Sequence, residues 1–238
     1  TANQSLFIIE IMRNNLNSFK KQRFIFKSLF FAGLLIFTAS CKNSKKEPVA
    51  EVVTENSVNI DLQKQLDDCE NQLEIAVPKL TDLTKHPRLI ETNATEWKEV
   101  ANNKLIWTSG FYPGILWYAY DVTGNKKWKD EAIKRTEVFE DFKNITEHHD
   151  IGFMMFPAYG LGYEIGQKKE YKDVLLASAQ SLASRFNPKV GTIRSWSNKM
   201  HPRWQQHITI IDNMLNLELL FWAAKNGGDQ KYYDIAVK

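Results

Sequence analysis

The chain has 238 residues, 43% of them apolar, 12% aromatic and 25% charged, with a formal net charge of +3. That composition excludes disorder for the bulk of the chain, and two cysteines exclude a disulfide framework or a cysteine-rich zinc module. Five basic groups stand in residues 1–40 against one acid, Glu10, so residues 41–238 hold 26 basic and 27 acidic groups and call for no nucleic-acid partner.

The chain opens on Thr1, and Met12 is the first methionine. From Met12, a basic stretch (Arg13 to Lys27) precedes an apolar one (Ser28 to Phe37) and then Thr38, Ala39, Ser40 and Cys41. This is the pattern of a signal peptide, with an apolar run too short for a spanning helix. A Cys directly after small residues resembles a bacterial lipobox, cut before Cys41 and lipidated there, although Thr38 stands where that box usually has Leu. An ordinary secretory signal with a chance Cys is the alternative. The expected organisation is upstream residues plus signal peptide over 1–40, lipidated Cys41 and a polar tether over 41–58, and one folded domain over 59–238. The expected location is exported and lipid-anchored, in the periplasm or at the cell surface.

Residues 60–84 place Ile60, Leu62, Leu66, Leu73, Ile75, Val77 and Leu80 among charges, which predicts an amphipathic helix bent at Pro78, with Cys69 as a core or half-buried thiol. Beyond it the chain repeats. The segments GNKKW (124–128), GQKKEY (166–171) and GDQKYY (228–233) are similar turns. Each follows a helix apolar nearly all round: ILWYAY (115–120), FMMFPAYGLGY (153–163) and MLNLELLFWAA (214–224). Each precedes an amphipathic helix, over 126–142 and 169–186, with the third only begun at Lys238. A helix apolar on all sides must be surrounded, whereas one with a single apolar stripe can face water. Alternation of the two predicts an inner ring of helices inside an outer ring: an all-α toroid of helical hairpins. An open solenoid is the alternative. No period-two strand pattern of any length competes.

Counting back from the turn glycines, Ser109 lies 15 residues before Gly124, Asp150 lies 16 before Gly166 and Asp212 lies 16 before Gly228. If the inner helices run parallel, these three open onto one mouth. Ser and Asp are also preferred helix caps, so each has a purely structural reading. Their surroundings argue for more. Asp150 is crowded by Glu147, His148 and His149, and Asp212 is flanked by Ile210, Ile211, Met214 and Leu215. A carboxyl in apolar company is hard to ionise, as a general acid requires. Trp107, Phe111 and Tyr112 lie near the same end, and the insert 187–210 adds Trp196 and Trp204. Rings interspersed with polar groups suit a sugar. The spacing of His148, His149 and Asp150 matches no metal motif, and no GxSxG, P-loop or GxGxxG occurs, so neither metal nor cofactor is expected.

The segments WTSGFYPGILWYAYDVTGN, HHDIGFMMFPAYGLGY, GTIRSW and IIDNMLNLELLFWA together resemble the unsaturated glucuronyl hydrolases, glycoside hydrolase family 88, from about Asn59 to Lys238. The resemblance implies a six-hairpin (α/α) barrel, of which about half the ring is in this chain, so that the sequence looks like a poorly stable, inactive fragment. It implies removal of a 4,5-unsaturated uronic acid from the non-reducing end of lyase-generated oligosaccharides. It makes Asp212 the proton donor to the vinyl ether, Asp150 its partner on the ring hydroxyls, and Trp107, His149 and Trp196 sugar contacts. An unsaturated rhamnogalacturonyl hydrolase, a carbohydrate-binding lipoprotein without turnover and a helical scaffold are the competing readings.

Overall fold

The computed structural model describes residues 61–197 and 205–238. The expected signal peptide, Cys41, the tether and Trp204 lie outside the described residues. Eight α-helices are described: α1 Leu62–Ala76, α2 Phe111–Thr123, α3 Lys126–Glu137, α4 Ile151–Met155, α5 Leu161–Glu164, α6 Lys172–Ala183, α7 Asn213–Lys225 and α8 Lys231–Val237. A π-helical turn, Phe156–Gly160, joins α4 to α5 into one run. Pro157 sits at its start. Its ring and missing N–H are incompatible with a regular α turn, and the wider turn accommodates both.

The inner helices α2, α4–α5 and α7 run parallel, as the order of their contacts shows. A Cβ at Gly110 would collide with the Met154 carbonyl oxygen, and one at Gly114 would lie 3.1 Å from Pro157. His149 bonds Asn213 and Phe153 bonds Asn216, so both numbers rise together between α4 and α7 as well. The outer helices α3, α6 and α8 return antiparallel. Trp117 Nε1 donates to Thr136 Oγ1 across the first hairpin (3.0 Å), and Tyr232 Oη bonds Gln180 between α8 and α6 (3.1 Å). The core between the layers is built from Leu116, Trp117, Trp128, Tyr159, Leu175 and Leu219, among others.

The observed elements correct the expected ones in four places. The first helix ends at Ala76 rather than bending at Pro78, it buries no residue, and Cys69 is exposed. Two short antiparallel hairpins occur where only helix and loop were expected. Strands β1 (Lys85–Leu89) and β2 (Lys98–Ala101) form one, and β3 (Phe186–Asn187) and β4 (Thr192–Ile193) the other. The three similar turns differ in conformation. Gly124 takes the left-handed region itself (φ 68°), but Gln167 and Gly227 take it beside Gly166 and Gly228. Finally, α7 is not surrounded: Ile211 (84% exposed), Met214 (66%), Leu215 and Phe221 face outward among the described residues.

Candidate active site

Asp150 and Asp212 stand at the N-cap positions of α4 and α7, yet neither side chain caps its helix. The structural reading of both as caps is therefore not what the fold uses. The Asp150 carboxylate is instead gripped by its own neighbours. Its Oδ1 lies 3.1 Å from His149 Nε2 and its Oδ2 lies 3.2 Å from His148 Nδ1, with both rings fully buried. Burial would push this carboxyl up, but the two imidazoles outweigh burial and hold it down at about 2. Asp150 is thus ionised over the whole physiological range. Glu147 takes no part in this grip and accepts the Thr146 N–H.

Each imidazole is fixed from its far side. His148 Nε2 donates to the Lys104 carbonyl. His149 Nδ1 faces Asn213 Oδ1 at 2.8 Å. Asn213 is oriented in turn by its amide nitrogen, which donates to the Ile193 carbonyl (3.0 Å) and to Ser195 Oγ (3.2 Å). An amide oxygen only accepts, so His149 Nδ1 donates this bond.

The first-turn N–H groups of α4 still need acceptors, because Asp150 does not supply one. Asn216 supplies it from the neighbouring helix. Its Oδ1 accepts the Phe153 N–H (3.0 Å), while its Nδ2 donates to the Asp212 carbonyl (3.0 Å). One fully buried side chain therefore ties the start of α4 to the start of α7. The contact demands glycine at 152, where a Cβ would fall 2.5 Å from Asn216 Oδ1. Neither Asn213 nor Asn216 was picked out from sequence. The available signal was two amides, three residues apart, on a mostly apolar helix.

Asp212 itself is exposed, and so are Ile211, Met214 and Leu215 beside it. The expected apolar enclosure of this carboxyl is not present in the described residues, because the flank of α7 that carries it packs against no neighbour there. Ser109 departs further from expectation. It lies in a 3-10 turn (Trp107–Gly110) before α2, is fully buried and donates to the Ile106 carbonyl, so it does not open onto the mouth.

Aromatic side chains rim the same end. Trp107 meets Phe111 edge-on (5.8 Å) and Phe153 at 5.9 Å, and is itself 36% exposed. The β1–β2 hairpin holds it there. Buried His86 bonds Asn102 (2.8 Å) and Thr108 (2.9 Å), and burial keeps its pKa down. Trp196 pairs its backbone with His148 and sets its ring edge-on to His149 at 5.8 Å. Tyr112 does not join this rim. It is buried with the Arg135 guanidinium over its ring, facing the outer layer. Among the described residues, no group of His, Cys, Asp and Glu is placed to hold a metal ion, and no helix is long and apolar enough to cross a membrane.

Parallel inner helices, antiparallel outer ones and an aromatic-rimmed acidic mouth define an arc of an (α/α) toroid. No family model matches the chain. It is 36% identical over 208 residues to an unsaturated glucuronyl hydrolase of Formosa agariphila, covering 87% of this chain and 49% of that protein. It is 39% identical over 136 residues to an unsaturated chondroitin disaccharide hydrolase of Streptococcus pneumoniae, covering 55% of this chain and 33% of that protein. A crystal structure of an unsaturated glucuronyl hydrolase specific for heparin superposes with a TM-score of 0.64 at 33% identity, covering 73% of this chain and 45% of that one. A Streptococcus agalactiae unsaturated glucuronyl hydrolase gives 0.64 at 30% identity, covering 74% and 43%. The chain belongs to the unsaturated glucuronyl hydrolase family, and its matches span a third to a half of the length of its curated relatives.

Proposed function

We propose that the protein of which this chain forms part is a glycosidase that removes a 4,5-unsaturated uronic acid from the non-reducing end of lyase-generated oligosaccharides. The observation that carries this reading is the pairing of two unlike carboxyl groups at the starts of adjacent parallel helices. Asp150 is locked and ionised between two imidazoles, while Asp212 is open to solvent and free of any capping bond. Two carboxyl groups in such different surroundings can take different roles.

In this mechanism the Asp212 carboxyl protonates C4 of the vinyl ether and then, as carboxylate, takes a proton from the water that attacks C5. The resulting hemiketal opens and expels the leaving sugar. Asp150 accepts hydrogen bonds from the ring hydroxyls and places negative charge beside Asp212. Trp107 and Trp196 offer ring faces to the sugar, and His149 sits between Asp150 and Trp196 to orient both. The wider proposal places the domain at a membrane through lipidated Cys41. Intact-mass analysis of the membrane fraction, which would find an unmodified thiol if this is wrong, checks it.

The test is turnover by the full-length polypeptide on lyase-generated oligosaccharides, read as loss of absorbance from the conjugated double bond. Asp212→Asn abolishes that loss while the melting temperature stays within about 2 °C, because the side chain is exposed. Activity surviving the substitution defeats the assignment.

A further inference from the structure

Beside the β3–β4 hairpin lies a cavity of about 400 Å³. Arg185, Arg194 and His207 line it together with the hydroxyls of Thr146, Ser184 and Ser197 and one asparagine amide. Among the described residues, the lining includes no carboxylate and no hydrocarbon side chain.

Arg185 is the centre of the arrangement. It is 9% exposed, with Nε donating to the Arg194 carbonyl (2.8 Å) and Nη1 to the Thr146 carbonyl. These bonds aim the guanidinium but bring it no counter-charge. Its Nη2 is buried without a hydrogen-bond partner, and so is the Ser197 hydroxyl on the same cavity. Buried donors left unpaired are uncommon. Glu147 and Asp150 act on Arg185 as counter-charges from a distance, and among the described residues neither forms an ion pair with it. His207 is held by Thr192 Oγ1 at 2.9 Å. The neighbouring positive charge acts on both groups. Burial and then Arg194 pull Arg185 down to about 10, and burial, Arg194 and Arg185 pull His207 down.

From the two orphaned donors and the cavity lined by two arginines and hydroxyl-bearing residues we infer that this is a binding site for an oxyanion, a sulfate or carboxylate group. Planar guanidinium groups match the oxygens of either group with paired hydrogen bonds, and the hydroxyls complete the shell. The inference does not depend on the reaction proposed above.

The experiment titrates sodium sulfate into the full chain against sodium chloride at equal ionic strength. A saturable rise in melting temperature is expected, about 4 °C at about tenfold Kd, which chloride does not match. The His207 imidazole, followed by NMR, titrates at higher pH with sulfate present, because the bound anion offsets the two arginines. Arg194→Gln and His207→Gln, which keep the Arg185 ties, each weaken sulfate binding about tenfold. Glucose 6-sulfate and glucuronate then separate the sources. Binding tighter than inorganic sulfate assigns the site to a saccharide, and binding no tighter assigns it to a free anion. A melting response equal to that of chloride, or an unmoved His207 titration in the unsubstituted chain, overturns the inference whether or not the variants fold.

Discussion

Replacing Asn216 with leucine tests how the two carboxyl-bearing helices are held in place. The substitution keeps the branched heavy-atom shape, with bulkier ends, and removes the amide donor and acceptor from a fully buried position. The Asp212 carbonyl keeps a second partner, the Leu215 N–H at 3.2 Å, so losing the Nδ2 donor leaves no orphan there. The Phe153 N–H has no such substitute. It belongs to the first turn of α4, where no intrahelical acceptor exists, and Asp150 is engaged by the histidines. One buried donor is left unpaired and one further hydrogen bond is lost, a cost of about 2–3 kcal/mol. For a folded unit of this size that lowers the melting temperature by about 6–10 °C. Thermal and urea unfolding of the Asn216→Leu and unsubstituted chains measure it, the urea slope showing whether the folded state is otherwise unchanged. A loss below about 0.5 kcal/mol, the scale of a neutral surface change, refutes the argument that Asn216 supplies the cap Asp150 withholds.

Three further outcomes follow from the same geometry. The depressed Asp150 carboxyl contributes stability that is fully present above its unfolded value of 3.8 and is lost as pH falls through about 2. That contribution is about 2 kcal/mol, and Asp150→Asn flattens the acid limb of the stability–pH curve by that amount. Gly152→Ala drives a methyl group into Asn216 and costs about 2–4 kcal/mol, more than Gly→Ala in a helix normally gains, measured by urea unfolding. Trp107→Ala, at a side chain more than a third exposed, leaves stability within about 1 kcal/mol while weakening saccharide binding about tenfold by calorimetry.

The large-scale order of the fold was legible because it is written in long patterns. Apolar-all-round segments alternating with striped ones predicted two helical layers, and the spacing to Gly124, Gly166 and Gly228 put Asp150 and Asp212 at one end. The same count failed for Ser109, since a 3-10 turn intervenes before α2 and draws its hydroxyl into the backbone. The β1–β2 hairpin was missed because KHPRL and KEVA are too short and too polar to alternate. What makes them pair is a tertiary contact, buried His86 between Asn102 and Thr108. The turn motifs matched by composition and not by conformation, for Gly166 is glycine chiefly because the Trp117 ring lies 2.5 Å from where a Cβ would be. At the site, the acids and His149 were visible as residue types. Their roles rest on Asn213 and Asn216, whose importance lies in what they touch across helices, and that is not a property of local spacing.

The widened turn at Phe156–Gly160 divides one helical rod into two that are out of phase. An extra residue in a turn rotates everything beyond it by about 100°. The stretch from Ile151 therefore answers to Gly110 and Asn216, whereas the stretch from Leu161 answers to Trp117 and Tyr171 through Gly162 and Gly166. Deleting one residue there restores ordinary winding and swings one half away from its neighbours. The rod thus acts as a vernier, letting the acidic end and the scaffold end of the same strut be set independently.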